Sequence, residues 1–422
     1  MIWFYYLLNI LLLTGLTYGL WRHQPESAIK KYFLPALLLK LGCGLLMAFF
    51  YQHFFGGGDA NLFQNQSNYV TEFARVSPLS YIRLLLTRHF ESETLRTAMI
   101  YVWYSNSYFM VMLLSFLNLF THSHFYLNSL YFSFFCFWGL WQLSQTLFLF
   151  NPAYKWPALI SFLFLPSVLF WAAGISKEAI YLGSLGWLLA ATVRLVNLFP
   201  KFKWQDILVV LVAGFFLWKI KFYFAALVFT LLLGYVFVTI LRKYTNLNLN
   251  RLKLWFIFLG LLLLASVAMV KFNEEFELNN FYFQLMRSYT VLAERSAGKP
   301  MVVYPQLEPT LLSLVRHSPA AILNATLRPY IWERNSLFYT LAGAENLAVM
   351  VLLFLTGVKL IKKPLLSKNI GLVVVLIYII VTAFLIGLST PNLGSLSRYK
   401  TAFIPFVVFL CLNVIYRNKR PY

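Results

Sequence analysis

One aspartate, Asp59, stands in the stretch GGGDAN directly after an apolar segment that covers residues 32–54. The three glycines let the backbone turn sharply, and a carboxylate placed at a membrane surface can accept the proton of an acceptor hydroxyl. Aspartate is also favoured at helix starts, and the residues DAN can open a helix. The sequence alone leaves both interpretations open, a general base and a helix cap.

A second set of charged residues lies between apolar segments, where charge is costly and marks candidate sites. Lys177 and Glu178 follow the stretch LPSVLFWAAGIS. Glu178 is a candidate catalytic carboxylate and Lys177 a candidate phosphate ligand, although the two side chains can simply neutralise each other at an interface. Lys219 and Lys221, in FLWKIKFYFAA, are further candidate phosphate ligands. Their alternative role is to extend towards lipid headgroups.

The polar stretch 271–346 carries most of the remaining candidates. Its charged residues alternate with apolar runs, which predicts amphipathic helices with Arg–Glu pairs on their polar faces. Arginine can also hold a phosphate with two parallel hydrogen bonds, so phosphate binding and structural pairing are both open. The candidate substrate- or phosphate-binding residues here are Arg287, Arg295, Arg328, Glu333 and Arg334. Asn392 and Arg398, in STPNLGSLSRYK, are candidates for the same role or for simple anchoring.

The elements that must position these residues are membrane spans. The chain is 60% hydrophobic and only 12% charged, and apolar runs of nearly 20 residues recur along it. We predict an all-α, polytopic integral membrane protein that forms a single transmembrane domain, 1–422. The apolar segments are 2–21, 32–54, 98–121, 125–150, 157–173, 179–198, 206–218, 223–242, 254–270, 347–361, 370–388 and 401–416. The first lacks a basic leader and a small-residue cleavage site, so we expect a retained span.

At least one apolar segment is not expected to cross the membrane fully. If all twelve segments crossed the membrane, counting from the N-terminal basic connection would place Asp59 outside. Counting back from the cytoplasmic C-terminus would place it inside. The segment 157–173 contains Pro166, and a broken helix is tolerated at membrane depth where it lines a cavity. We therefore predict about 11–12 transmembrane or re-entrant helices.

The charge distribution predicts which side each connection faces. The two long polar stretches, 55–97 and 271–346, hold 11 of the 14 acids and 11 of the 35 basic residues. The other basic residues lie with only three acids in short connections and at the C-terminus. The positive-inside rule then places the two long stretches outside and the C-terminus in the cytoplasm. Because the net charge of +21 follows the spans, we do not expect nucleic acid as a partner.

Several kinds of chemistry have no signature in the sequence. The three cysteines lie in apolar segments, and the six histidines show no metal-ligand spacing, so we expect no resident metal site from spacing alone. Phosphate-loop, dinucleotide and serine-nucleophile motifs are also missing from the sequence. ATP hydrolysis, hydride transfer and acyl-enzyme chemistry are therefore not predicted.

The chain resembles the GT-C-type glycosyltransferases, which use polyprenyl-phosphate-linked sugars. The resemblance lies in the acid of GGGDAN, in the amphipathic helices after it and in the arginines of a later polar stretch. The stretches LFWAAGISKE, RPYIWE and NLGSLSRYK resemble those of bacterial envelope-polysaccharide membrane proteins, including O-antigen-type polymerases. The resemblance implies a bacterial inner membrane protein with a polyprenyl-phosphate-linked sugar as donor and a glycan or lipid as acceptor. It gives Asp59 the role of general base, acceptor-orienting group or ligand of a divalent cation.

Other functions stay open at this point. A polysaccharide polymerase or ligase would centre its catalysis on the arginines of 271–346. A flippase for lipid-linked glycans or another transporter would be expected to show repeated halves, which the sequence lacks, and a non-catalytic assembly subunit is a further alternative. For the transferase we expect one outer cavity lined by Asp59, by Lys177 or Glu178, and by at least two of Arg287, Arg295, Arg328 and Arg334.

Overall fold

The computed structural model describes residues 2–87, 92–101, 104–198, 203–244, 251–272, 274–334, 336–362 and 370–416. Within these residues the chain is helical, without a β-strand, so the predicted all-α class is confirmed. The helices of the first half are α1 (Ile2–Arg22), α2 (Phe33–His53), α3 (Asp59–Val76), α4 (Pro78–Thr87), α5 (Glu93–Ala98), α6 (Asn106–Thr121), α7 (Phe125–Phe150), α8 (Lys155–Ala158), α9 (Pro166–Trp171) and α10 (Lys177–Leu198). Those of the second half are α11 (Trp204–Ile220), α12 (Phe222–Tyr244), α13 (Arg251–Phe272), α14 (Leu278–Glu294), α15 (Leu311–Leu327), α16 (Leu337–Lys362), α17 (Ile370–Ser389), α18 (Leu393–Tyr399) and α19 (Ile404–Tyr416).

The described residues contain seven single helices long and apolar enough to cross a membrane. Two bent pairs, α6 with α7 at 115° and α18 with α19 at 59°, raise this number to nine if each pair is one span. The chain is therefore a multi-pass membrane protein. The seven single helices are α1, α2, α10, α12, α13, α16 and α17, with the second extended at its start by a short 3₁₀ turn.

The number of candidate spans is smaller than the twelve apolar segments of the sequence, and the reasons are local. The predicted segments 98–121 and 125–150 belong to one bent pair, whose turn holds His122 and Ser123 in the left-handed region. The predicted segment 206–218 lies in α11, which has 17 residues. The segment 157–173 is broken as predicted: a π-helix, Leu159–Phe164, ends before Pro166, where proline disfavours a helical residue in front of it.

The two long polar stretches fold into helices. The described residues of 55–97 include α3, α4 and most of α5, and those of 271–346 include α14, α15 and the start of α16. Helix α3 buries Phe63, Ser67 and Val70 and exposes polar residues such as Asn65, so the predicted amphipathic character is present. The basic stretches at 363–369 and 417–422 lie outside the described residues.

The chain divides into two compact units that alternate along the sequence. Unit 1 comprises Met1–Gln145, Val168–Trp187 and Leu211–Phe222. Unit 2 comprises Thr146–Ser167, Leu188–Val210 and Tyr223–Tyr422. Each is described by itself below, and the single transmembrane domain predicted from the sequence stays a prediction.

In unit 1, helices α7 and α10 approach closely at glycines. A β-carbon added to Gly139 would lie 1.9 Å from the carbonyl oxygen of Gly183, and one added to Gly186 would lie 2.5 Å from that of Gly139. Small residues allow such backbone contact between helices in a membrane. This close contact fixes α10, whose first residues are Lys177 and Glu178.

A buried amide cluster attaches α3 to α6 and α7 in the same unit. Asn128 Nδ2 donates to Gln64 Oε1 at 2.9 Å and to Asn118 Oδ1 at 2.7 Å, and Asn118 Nδ2 donates to Ser67 Oγ at 2.9 Å. Hydrogen-bonded polar groups in a core specify one arrangement because any other would leave a donor or acceptor unsatisfied. The cluster therefore holds the helix that begins with Asp59.

Unit 2 is organised around contacts of α15 with α17 and of α16 with α19. A β-carbon on Gly387 would lie 2.2 Å from the carbonyl oxygen of Ala321, and the Tyr304 hydroxyl donates to the Gly387 carbonyl at 3.0 Å. These contacts place the end of α15, and with it Arg328, beside the chain that follows α17.

Candidate functional site

Asp59 is the first residue of α3, and the glycines before it have the conformations that glycine favours. Gly56, Gly57 and Gly58 have φ values of 59°, 102° and 135°, which other residues adopt only with strain. Gly58 occupies the N-cap position, without a side-chain cap, so Asp59 is not the cap that one interpretation of the sequence assigned to it. Its exposed carboxylate lies in the first turn, where the helix dipole favours negative charge.

Asp59 and Lys177 face the same pair of aromatic rings. Burial, and secondarily the negative charge of Asp59, raises the pKa of the Tyr101 phenol above its usual range. The rings of Tyr101 and Phe63 are 5.7 Å apart between centroids, and Lys177 Nζ lies 5.4 Å from the centroid of the Phe63 ring. Phe63 is one helical turn beyond Asp59 on α3. The Lys177 ammonium group therefore lies over Phe63, and the Asp59 carboxylate is near enough to influence the neighbouring Tyr101.

Lys177 is held by the start of α6. Its Nζ donates to Asn106 Oδ1 at 2.7 Å and to Ser107 Oγ at 2.9 Å. Asn106 Nδ2 in turn donates to the carbonyl oxygen of Ile220, the last residue of α11, at 3.1 Å. The beginnings of α6 and α10 and the end of α11 thus meet at one place in unit 1.

Glu178 is buried at the same junction and forms an ion pair with Lys221. The distance from Lys221 Nζ to Glu178 Oε1 is 3.2 Å, and the two side chains are 15% and 2% exposed. The Ser176 hydroxyl accepts from the amide of Ala179 at 3.1 Å, which makes Ser176 the N-cap of α10. Glu178 therefore pairs with a residue 43 positions away in the chain.

We call Asp59, Asn106, Lys177, Glu178 and Lys221 the junction. Its carboxylate at Asp59 is exposed and its carboxylate at Glu178 is buried, so only the first is accessible to a substrate. Two ammonium groups and the starts of α6 and α10, where backbone N–H groups and helix dipoles attract anions, lie within the same unit. The arrangement can accept a proton at one atom and stabilise a phosphate near another.

In unit 2, Arg328 and Glu333 form the pair that the alternating charges predicted. The guanidinium of Arg328 donates to Glu333 Oε1, while Glu333 Oε2 accepts from the backbone amide of Tyr330 at 2.8 Å. The buried Lys400 donates to the Arg328 carbonyl oxygen at 3.3 Å and to the Asn346 side chain. These contacts give Arg328 a structural role at the end of α15.

The other three candidate arginines of this stretch are exposed. Arg287 lies on α14, Arg295 is its C-cap residue, and the Arg334 guanidinium lies 5.5 Å from the Tyr339 ring centroid. Among the described residues, none of the three forms an ion pair with glutamate. The predicted Arg–Glu pairing therefore holds for Arg328 only.

Asn392 and Arg398 lie on or beside α18. The Asn392 side chain caps that helix, because its Oδ1 accepts from the Ser395 amide at 2.8 Å, and its Nδ2 donates to Ser296 Oγ at 2.7 Å. The Arg398 guanidinium lies 5.9 Å from the Tyr399 ring centroid. The amide of Asn392 is therefore occupied by structural contacts, which favours the anchoring role over the binding role.

A buried lysine and a partly buried glutamate make contacts that were not predicted from the sequence. Lys40, inside α2, donates from Nζ to the Val168 carbonyl oxygen at 2.6 Å and is only 2% exposed. Glu345 accepts at Oε2 from the Ser167 amide at 2.7 Å. The signal for Lys40 was present, since a single lysine in the apolar run LLLKLGCG must find a polar partner at that depth.

The predicted common cavity joins residues of both units. Asp59, Lys177 and Glu178 belong to unit 1, and Arg287, Arg295, Arg328 and Arg334 belong to unit 2. A cavity that includes both sets stays a prediction. In the described part of the chain, no group of three or more histidine, cysteine, aspartate or glutamate side chains is arranged to hold a metal ion.

Comparison with protein-family models, with curated proteins and with solved structures finds no match to this chain. The resemblance to GT-C-type enzymes therefore stays a hypothesis, and its support must come from the geometry of the site itself.

Proposed function

We propose that the chain is a membrane glycosyltransferase that moves a sugar from a polyprenyl-phosphate-linked donor to a cell-envelope glycan or lipid. The observation that carries this proposal is the junction in unit 1. There the ammonium group of Lys177 lies over the Phe63 ring, Phe63 packs against Tyr101, and the exposed carboxylate of Asp59 lies one helical turn before Phe63. A membrane protein with this set can hold a lipid-linked anion and a sugar without a nucleotide-binding motif.

The chemistry assigns a separate role to each group. Asp59 accepts the proton of an acceptor hydroxyl, and the freed oxygen attacks the anomeric carbon of the donor sugar. The bond from that carbon to the phosphate oxygen breaks, and the polyprenyl phosphate leaves with the electron pair. Lys177 stabilises the leaving phosphate. Glu178 is a positioning residue in this scheme, because it is buried against Lys221.

The direct test is donor turnover by the purified full-length protein. A panel of polyprenyl-phosphate sugars would be incubated with the protein in lipid nanodiscs, together with envelope glycan extract as acceptor. We expect protein-dependent release of polyprenyl phosphate, detected by mass spectrometry, with at least one donor. Transport of intact donors across proteoliposomes without release of polyprenyl phosphate would contradict the proposal and indicate a transporter.

The proposed orientation puts the two polar stretches 55–97 and 271–346 outside the bacterial inner membrane and the C-terminus in the cytoplasm. It includes 11–12 transmembrane or re-entrant helices, and its support is the unequal distribution of basic residues. We expect an impermeant thiol reagent to label Asn65→Cys and Glu308→Cys in intact cells, in a background that lacks Cys43, Cys136 and Cys411. The control Lys203→Cys, also exposed, should be labelled only after permeabilisation. Labelling of residues 65 and 308 from opposite sides would contradict this orientation.

A polymerase or ligase is the second candidate. It is favoured by Arg287 and Arg295, which are exposed in unit 2 and form no ion pair with any described residue. Arginines in that state can bind the two phosphates of a lipid-linked oligosaccharide. The lengths of the products distinguish the candidates, because the transferase adds one sugar and the polymerase adds whole repeat units.

A further inference from the structure

Unit 1 contains two apolar cavities, with volumes of about 250 and 340 Å³. They share the side chains of Leu113, Phe116 and Phe216, so they adjoin along α6, α7 and α11, and together we call them the groove. The inner wall includes the buried side chains of Phe132 and Ile180. The groove therefore reaches from the surface of these helices into the protein interior.

Lys219 is the only charged residue that lines either cavity in the described part of the chain. Lys219 lies at the end of α11. The same cavity is also lined by Ser105, which is the N-cap of α6. The neighbouring residues Ile220 and Asn106 are joined by the hydrogen bond described above. One end of the groove is thus cationic and adjacent to the junction, whereas the far cavity is lined by apolar and aromatic side chains.

We infer that this groove binds the hydrocarbon chain of a polyprenyl phosphate, with the phosphate at Lys219 and the chain extending along α7. The identity of this ligand rests on the proposed function. Charge complementarity supports a ligand with an anionic head and an apolar tail. A phosphate at Lys219 would lie beside the junction, because Asn106 donates to the carbonyl of the neighbouring Ile220 and accepts from Lys177, the residue proposed to stabilise the leaving phosphate.

The first measurement maps where the lipid binds. A polyprenyl monophosphate with a photoreactive group in its chain would be crosslinked to the full-length protein in phosphatidylcholine nanodiscs. We expect saturable labelling of peptides from α6, α7 and α11, competed by unlabelled polyprenyl phosphate. The alcohol polyprenol, which has no phosphate, and phosphatidylglycerol should compete at least tenfold less well. Equal competition by phosphatidylglycerol, or labelling of all lipid-facing helices in proportion to their exposure, would overturn the inference.

Variants then test the two ends of the groove. Leu113→Trp fills the shared wall and is expected to abolish the saturable labelling, whereas Leu119→Trp, on an exposed part of α6 outside both cavities, should leave it unchanged. Lys219→Gln should weaken apparent affinity roughly tenfold, the size expected for loss of one charge-assisted hydrogen bond. Lys31→Gln, an exposed lysine of the same unit, is its control. Unchanged affinity in Lys219→Gln would remove the phosphate from this position.

These results are separable from the proposed function. Saturable binding without any sugar transfer would leave the groove assignment intact and contradict the transferase. Transfer by a protein whose groove variants bind and react normally would support the transferase and overturn the groove assignment.

Discussion

Replacing Asp59 with asparagine is expected to reduce glycan transfer by about 10²–10⁴-fold, the usual contribution of a general base. Asparagine keeps the size and planarity of the side chain but cannot accept the proton of the acceptor hydroxyl. The turn before α3 should persist, because its left-handed conformations belong to Gly56, Gly57 and Gly58. Loss of the favourable charge at the helix start costs only about 0.3–1 kcal/mol. The transfer rate should therefore decrease while protein abundance and thermal stability change little.

A matched control is available on the same helix. Glu72 is also an exposed carboxylate of α3, and it lies more than three turns from Asp59. Glu72→Gln is expected to transfer at nearly the normal rate, which would separate a local role of Asp59 from a general effect of acidic charge on α3. Near-normal transfer by Asp59→Asn, with abundance controlled, would remove Asp59 from catalysis. The arginine-centred polymerase would then be the better proposal.

The sequence predicts those parts of the fold that follow from local patterns. Apolar length and the scarcity of charge predict the long helices, and Pro166 predicts the broken segment 157–173. The number of crossings does not follow in the same way. A hydropathy window treats 98–121 and 125–150 as two spans, whereas the chain bends by 115° between α6 and α7. That bend depends on left-handed backbone at His122 and Ser123, and these residue types adopt that conformation only occasionally.

The candidate site was predictable in its charged residues but not in Asn106 or in its contacts. Three glycines before an acid identify Asp59, and charge between apolar segments identifies Lys177, Glu178 and Lys221. The choice of partner is a tertiary property, because Lys177 contacts Asn106 and Glu178 contacts Lys221 across long separations. Because Lys177 and Glu178 are adjacent in the sequence, an ion pair between them was one of the predicted alternatives. Neighbouring residues on a helix point in different directions, which is why each finds a different partner.

The second large effect is expected for the buried ion pair between Glu178 and Lys221. Lys221→Met should reduce the free energy of unfolding by about 3–5 kcal/mol, because it leaves the buried Glu178 carboxylate without this ion-pair partner. Glu178→Gln should cost less, because the Lys221 side chain is 15% exposed and can be solvated. Thermal unfolding of the detergent-solubilised protein, followed by tryptophan fluorescence, provides the measurement. The pair of Glu26 and Lys30 is the control, because the Glu26 side chain is 88% exposed whereas Glu178 is buried. Glu26→Gln should change stability by no more than about 1 kcal/mol.

The double variant Glu178→Gln/Lys221→Met distinguishes a structural pair from a pair that acts in the site. Removing both charges leaves no uncompensated group, so most of the lost stability should return. If the pair only supports the start of α10, transfer should return with stability. A double variant that is stable but still inactive would show that Lys221 or Glu178 also acts on the substrate. If each single variant were as stable as the unmodified protein, the pair would not be the contact that holds the junction together, and the role of Glu178 as a positioning residue would fail with it.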